Sequence, residues 1–127
     1  MKKNLRYNSH HFGIPLLDRK YEGTYSERAG KYTTDTPGKF KVQWHRFTED
    51  SPLPQLLKMV PHVAFKVEDL SVAISDEEVI LGPYEPMDDY FVAIINDNSV
   101  PIELIQTTLT DDELWERART GNGSLYR

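Results

Sequence analysis

Four side chains able to ligate a metal fall at matching places in two stretches of the chain: His11 and Gln43 in the first, His62 and Glu103 in the second. Two imidazoles, a carboxylate and an amide oxygen make a borderline-soft N/O donor set, suited to Zn, Ni, Fe or Mn. The chain has no cysteine in its 127 residues, so thiolate ligands, thiol nucleophiles and disulfides are excluded together. The alternative is four polar strand residues bonded to water or to neighbours, and spacing alone leaves both readings open. His45 lies two residues beyond Gln43 on the same strand face, as a partner of a ligand, a substrate contact or a solvated histidine. His10 faces the other way from His11 in a regular strand and reads as structural or exposed. Asp111, Asp112 and Glu113 open a helix, where capping explains them better than catalysis.

Strands must position these groups. In the segment His11 to Leu17, Phe12, Ile14 and Leu16 alternate with His11, Gly13 and Pro15, the period-2 pattern of a half-buried strand. The same alternation runs through Phe40 to Phe47 and through His62 to Val67. Lys31 to Thr34 suggests a short strand in a loop-rich stretch, Gln55 to Met59 a helical turn, and Asp69 to Ser75 a short helix. Glu78 to Leu81, Tyr90 to Ile95 and Val100 to Thr107 read as three further strands. They are separated by a Gly82-Pro83-Tyr84-Glu85-Pro86 loop and an Asn96 to Ser99 turn. Thr110 with Glu113 has the form of a capping box opening a helix to about Thr120, ended by Gly121.

An internal repeat organises these elements. His11-Phe12-Gly13-Ile14 aligns with His62-Val63-Ala64-Phe65, and Val42-Gln43-Trp44 aligns with Ile102-Glu103-Leu104. If the halves pair side by side, His11, Gln43, His62 and Glu103 share one face. Phe12, Ile14, Val63, Phe65, Ile102 and Leu104 share the other.

The run Pro61 to Leu70, followed by Glu78-Val79-Ile80 and by Val100 to Gln106, resembles the second module of the glyoxalase/bleomycin resistance/dioxygenase (vicinal oxygen chelate) superfamily. The resemblance is strongest over residues 59–107. In the first module His11 to Ile14 and Val42 to Trp44 match the opening and closing strands, but the helix between them is missing or much reduced. The resemblance implies an α+β fold over residues 1–127, with two βαβββ-like modules forming a curved mixed sheet around a cleft. The modules would span about 8–50 and 60–108, with an added helix at about 110–120. It also implies a divalent metal held by His11, Gln43, His62 and Glu103, with Gln43 standing where many members carry Glu.

Three functions follow as expectations. The first is a metal-dependent lyase or isomerase acting on a small oxygenated substrate through an enolate-type intermediate. Glu103 would move the proton there, because Gln43 cannot accept one at neutral pH. The second is a two-His-one-carboxylate Fe(II) dioxygenase built on His11, His62 and Glu103. The third is a metal-free small-molecule binding protein of the bleomycin-resistance type. Tyr84, Met87 and Tyr90, with His45, are the candidate substrate contacts.

Composition narrows the partners. Fifteen basic against twenty acidic residues give a net charge of −5 and no basic patch, which disfavours nucleic acid. No segment approaches the roughly 20 apolar residues of a membrane span. The polar Asn4, Tyr7, Asn8, Ser9 and His10 after Lys2, Lys3 and Arg6 lack a signal peptide's apolar core, so the chain is expected to start at its own Met and to be cytoplasmic. An open curved sheet leaves edges to cover, from which a homodimer is expected.

Overall fold

Alternating apolar and polar residues, rich in Val, Ile, Phe and Tyr, make this chain a sheet protein with few helices. The computed structural model describes residues 4–18, 23–36 and 40–120. In chain order the elements are β1 (Tyr7–Pro15), β2 (Thr24–Ser26), β3 (Lys31–Thr36), β4 (Val42–Phe47), α1 (Gln55–Met59), β5 (His62–Val67), α2 (Leu70–Ile74), β6 (Glu78–Met87), β7 (Tyr90–Asp97), β8 (Val100–Gln106) and α3 (Asp111–Thr120). All eight strands belong to one mixed sheet of order β2-β3-β4-β1-β5-β8-β7-β6, curled into a half-barrel.

Read outward from its centre, the sheet repeats itself. One half runs β1, β4, β3, β2 and the other β5, β8, β7, β6. In each half the opening strand lies parallel to the closing strand, and the remaining pairs are antiparallel. The antiparallel pair β1/β5 joins the halves. The alignment made from sequence holds in the hydrogen-bonded register. Phe12, Gly13 and Ile14 oppose Val42, Gln43 and Trp44, while Val63, Ala64 and Phe65 oppose Ile102, Glu103 and Leu104. An apolar row, Val42-Phe12-Val63-Ile102-Ile95-Val79, crosses six strands on the outer face.

The halves differ in what covers that outer face. In the second, α2 packs on the sheet through a core of Val67, Leu70, Ala73, Ala93, Ile95 and Leu104. Its start is fixed by Asp69, whose Oδ1 accepts from the Val72 N–H at 3.1 Å. In the first half no helix stands between β1 and β2 among the described residues, and Phe12 remains 44% exposed. The other apolar cluster lies on the inner face, where Ala64, Val92 and Ile105 meet Leu109 and Leu114 at the base of α3.

Several expectations needed correction. β1 begins at Tyr7, four residues before the apolar alternation starts, because its polar segment pairs with β5. The expected loop Gly82 to Pro86 is strand, since β6 runs unbroken from Glu78 to Met87 with three register shifts against β7. An edge strand tolerates prolines and irregular pairing because only one side is laddered. The second closing strand is entered through a two-residue turn at Asn98 and Ser99, both at positive φ, as a type I′ hairpin requires. The capping box is formed, with Thr110 N–H donating to Glu113 Oε1 and Glu113 N–H donating to Thr110 Oγ1, each at 3.2 Å. Gly121 lies outside the described residues. No helix among the described residues is long and apolar enough to cross a membrane.

Candidate metal centre

The seam between the halves places the chemistry. Across β4, β1 and β5 one row of opposed residues reads Gln43, Gly13, His62; across β1, β5 and β8 the next reads His11, Ala64, Glu103. Each row therefore holds the closing residue of one half and the histidine of the other, with a small residue between. Opposed residues in adjacent strands point to the same face, so all four side chains turn into the concave side. The intervening small residues are a spatial requirement. A Cβ added to Gly13 would fall 1.9 Å from Cε1 of the His62 ring, and Ala64 is fully buried.

His11, His62 and Glu103 converge so that one ligand atom from each lies within 4.8 Å of the others. His11 Nε2 lies 3.2 Å from Glu103 Oε2, and the His11 and His62 rings meet edge to face at 5.6 Å. Gln43 is buried and lines the same cavity. Of the four ligands that the family resemblance implied, three group as donors and the fourth stands on their wall.

The donor set fits a divalent cation. Glu103 Oε2 is buried without an aligned hydrogen-bond donor among the described residues. Burial raises the Glu103 pKa, but the charge and direct contact of His11, 3.2 Å away, followed by the charges of His62 and Lys31, outweigh it and hold the group at about 2. Burial lowers His62 to about 4, with Glu103 opposing and His11 and Lys31 adding. At neutral pH the carboxylate is thus ionised and the His62 imidazole neutral, the protonation states that ligation needs.

The remaining candidates line the same cavity. His45 is buried and stacks on His62, with centroids 5.5 Å apart and planes 19° apart. Its Nδ1 contacts Thr33 Oγ1 at 3.0 Å, and its Nε2 has no hydrogen-bond partner among the described residues. Burial, and then Lys31, His62 and His11, keep its pKa well below the usual imidazole value. Tyr84, Met87 and Tyr90 form the wall contributed by β6 and β7, together with Leu57 of α1 and Leu114 of α3. Burial and the Glu103 charge raise the Tyr84 pKa while Arg28 lowers it, leaving a neutral phenol that can donate a hydrogen bond.

The enclosed volume is about 60 Å³, room for an ion and a few small oxygen ligands. A more open pocket of about 380 Å³ shares Ala29, Leu53, Leu81, Tyr84 and Pro86 with it and adds Arg28 near the surface. The inner space suits the reacting oxygens of a small molecule and the outer one its body.

His10 is not where a regular strand would put it. The β1/β5 register shifts between Ser9 and His11, so His10 is the extra residue of a β-bulge. A bulge redirects its side chain, and His10 is buried on the cavity wall with its Nδ1 2.7 Å from His11 Nδ1. Its pKa is lowered to about 4 by burial and by His11, against the pull of Asp111 and Glu103. Sequence reasoning also missed Lys31 and the spacing role of Gly13 and Ala64. The small residues were visible at matching positions of the repeat, whereas the bulge leaves no compositional trace.

Compared with models of known protein families and with curated proteins, the chain matches none.

Proposed function

We propose that the protein is a glyoxalase-like, metal-dependent lyase or isomerase acting on a small oxygenated substrate by an enolate-type route, within the vicinal oxygen chelate superfamily that its sequence resembles. The observation that carries this reading is the convergence of His11, His62 and Glu103 within 4.8 Å inside a duplicated sheet, with Gln43 on the same wall. A divalent ion held by these residues, Zn, Ni, Fe or Mn, would supply a Lewis acid for two adjacent substrate oxygens. Glu103 is the only carboxylate of the four and takes the proton from carbon, then returns it at the neighbouring atom. Gln43 holds its place without titrating. Tyr84 O–H donates to a substrate oxygen, His45 orients the bound molecule, and Met87 and Tyr90 keep water from the reacting carbon.

A second reading draws on the same grouping. Two histidines and one carboxylate without the amide are the donor set of Fe(II) dioxygenases, which leave positions open for substrate and oxygen. Elemental analysis of protein purified without added metal, repeated on His62→Ala, separates the possibilities. Stoichiometric Zn, Ni or Mn lost in the variant supports the lyase or isomerase, and iron favours the dioxygenase. A metal-free parent removes both and leaves a small-molecule binding protein of the bleomycin-resistance type.

The same reading carries a cytoplasmic homodimer. Exposed Phe12 and Leu17, in the half that shows no covering helix among the described residues, support a second copy as partner. A concentration-independent mass of 14.7 kDa by light scattering would remove the dimer.

A further inference from the structure

The two edges of the sheet meet at the mouth of the cavity. β2 and β6 stand at opposite ends of the strand order, yet the outer pocket of about 380 Å³ is lined by Arg28 and Ala29, just after β2, and by Leu81, Gly82, Tyr84 and Pro86 of β6. Curling the sheet brings them together. Apart from the Tyr84 hydroxyl and the Arg28 guanidinium, the side chains of this mouth are apolar.

Arg28 is exposed, but the turn that carries it is fixed. Gly30 N–H donates to Ser26 O at 2.9 Å and Ala29 N–H to Ser26 Oγ at 3.3 Å, which closes the turn. Ser51 Oγ donates to Ala29 O at 2.5 Å and Thr48 N–H to Gly30 O at 2.8 Å, which ties it to the segment after β4. Ser26, Ala29 and Ser51 are buried, and a Cβ added to Gly30 would fall 2.8 Å from Ser51 Cα. The backbone that presents Arg28 is thus set before a ligand arrives, which lowers the ordering cost of binding.

The charge at this position is available. Arg46 Nε donates to Asp18 at 2.6 Å, and Lys41 and Lys66 both approach Asp111. Among the described residues no carboxylate pairs with Arg28. Deeper in, Lys31 of β3 lines the inner space together with Glu103. The joined cavities therefore hold two basic side chains, Arg28 and Lys31, against one carboxylate, Glu103, in a chain of net charge −5. A divalent ion at the centre would enlarge that excess. An anion is its complement, and the planar guanidinium fork matches a carboxylate.

We infer that the substrate carries a carboxylate, separated from its reacting oxygens by a short apolar stretch, and that Arg28 is the residue that selects it. The carboxylate docks on Arg28 at the mouth, the apolar stretch lies over Leu53, Leu81 and Pro86, and the oxygenated end enters the inner space. The oxygenated end rests on the function proposed above, whereas the contact with Arg28 needs no metal.

The test uses the full chain and two sets of probes. Hexanoate and hexanamide differ in charge and carry no chelating end. Succinic, adipic and suberic monohydroxamates, each compared with its terminal amide, add two vicinal oxygens for the Zn²⁺-loaded protein. Hexanoate should shift the backbone amide signals of Ala29, Leu53 and Leu81 and bind about 10-fold more tightly than hexanamide. Arg28→Gln should remove that preference and leave hexanamide binding unchanged. Arg28→Lys, which keeps the charge but not the fork, should retain only part of it. At one of the three chain lengths the monohydroxamate should show the same preference for its carboxylate form, again lost in Arg28→Gln with Zn²⁺ affinity unaltered. No preference for hexanoate in the parent, or one that survives in Arg28→Gln, would overturn the inference. So would a preference for hexanoate with none at any length of monohydroxamate on Zn²⁺-loaded protein, because the contact would then not belong to the substrate. A parent that takes up no Zn²⁺ defeats the metal reading instead, and the hexanoate comparison still decides the role of Arg28.

Discussion

The two halves of the sheet share a strand order and a ladder register, yet they divide the work unequally. The second half is the better packed, with α2 covering its outer face through Leu70 and Ala73, and it alone contributes a carboxylate at the closing position. The first half lacks that helix among the described residues and carries the neutral Gln43 at the equivalent place. It also holds the bulge that turns His10 inward. Duplication thus supplies a frame that brings four side chains together, and the departures from symmetry decide which of them titrate and which are held in place. A fully symmetric site would have no residue set apart to move a proton.

The largest effect should come from exchanging the two closing residues. Glu103→Gln is expected to lower the rate on any substrate the parent turns over by about 10²- to 10⁴-fold, because an amide can ligate but cannot accept the proton. Gln43→Glu should keep or strengthen metal binding, read by elemental analysis. If the centre is instead an iron triad, Gln43→Ala should leave the iron content nearly unchanged while either His11→Ala or His62→Ala empties it.

Next come the two small residues that separate each histidine from its opposite partner. Gly13→Ala places a methyl group against the His62 ring, which must swing away. Zn²⁺ affinity should fall by about 10-fold or more, with a stability loss of about 1–3 kcal/mol. Ala64→Gly opens space instead and should cost about 0.5–1 kcal/mol with affinity retained. Equal losses of affinity in both variants would mean that the rows do not act as the register implies.

Acid should then unfold the ion-free protein in two stages, one set by the buried histidines and one by Glu103. His10 and His62 are held near 4 and His45 also well below its usual value. Between pH 6.5 and 4 the unfolded chain therefore binds protons that the folded one refuses. Stability is full above that window and falls through it as pH is lowered, by on the order of a few kcal/mol in all. Glu103, held at about 2, contributes stability above its ordinary value that is lost only as pH falls from about 4.5 towards 2. Urea midpoints taken across pH 8 to 3 read the first stage directly, and a flat profile down to pH 4.5 would contradict it.

The smallest effect concerns the helical layer on the second half. Asp69→Ala removes the cap of α2 and should cost about 0.5–1 kcal/mol in chemical denaturation. Zn²⁺ affinity should not change, because α2 packs on the face away from the cavity. A drop in affinity would show that the outer layer helps to hold the ligands.

Much of this frame was legible in the chain before any coordinates. Period-2 alternation located the strands that carry His11, Gln43, His62 and Glu103, and the aligned segments marked which residues take equivalent places in the two halves. Thr110 and Glu113 announced the last helix. What escaped has physical reasons. Tyr7 to His10 carry mostly polar side chains, so their strand is fixed by pairing to β5 rather than by apolar pattern. Gly82 to Pro86 hold breakers that an edge strand accommodates. The bulge at His10 is a one-residue slip that alternation could not reveal, and it reversed the facing expected for that side chain. Gly13 and Ala64 entered only as members of the alternating pattern, and their spacing role depends on neighbours in space.

The seam between β1 and β5 also bears on kinetics. His11 and Glu103 come from opposite ends of the chain, and they meet only after both halves have formed and docked. Such long-range closure is among the slower events in folding. The donors are therefore not assembled while the halves are still separate, and a bound ion stabilises contacts made late. Its presence should slow unfolding and leave the refolding rate nearly unaltered.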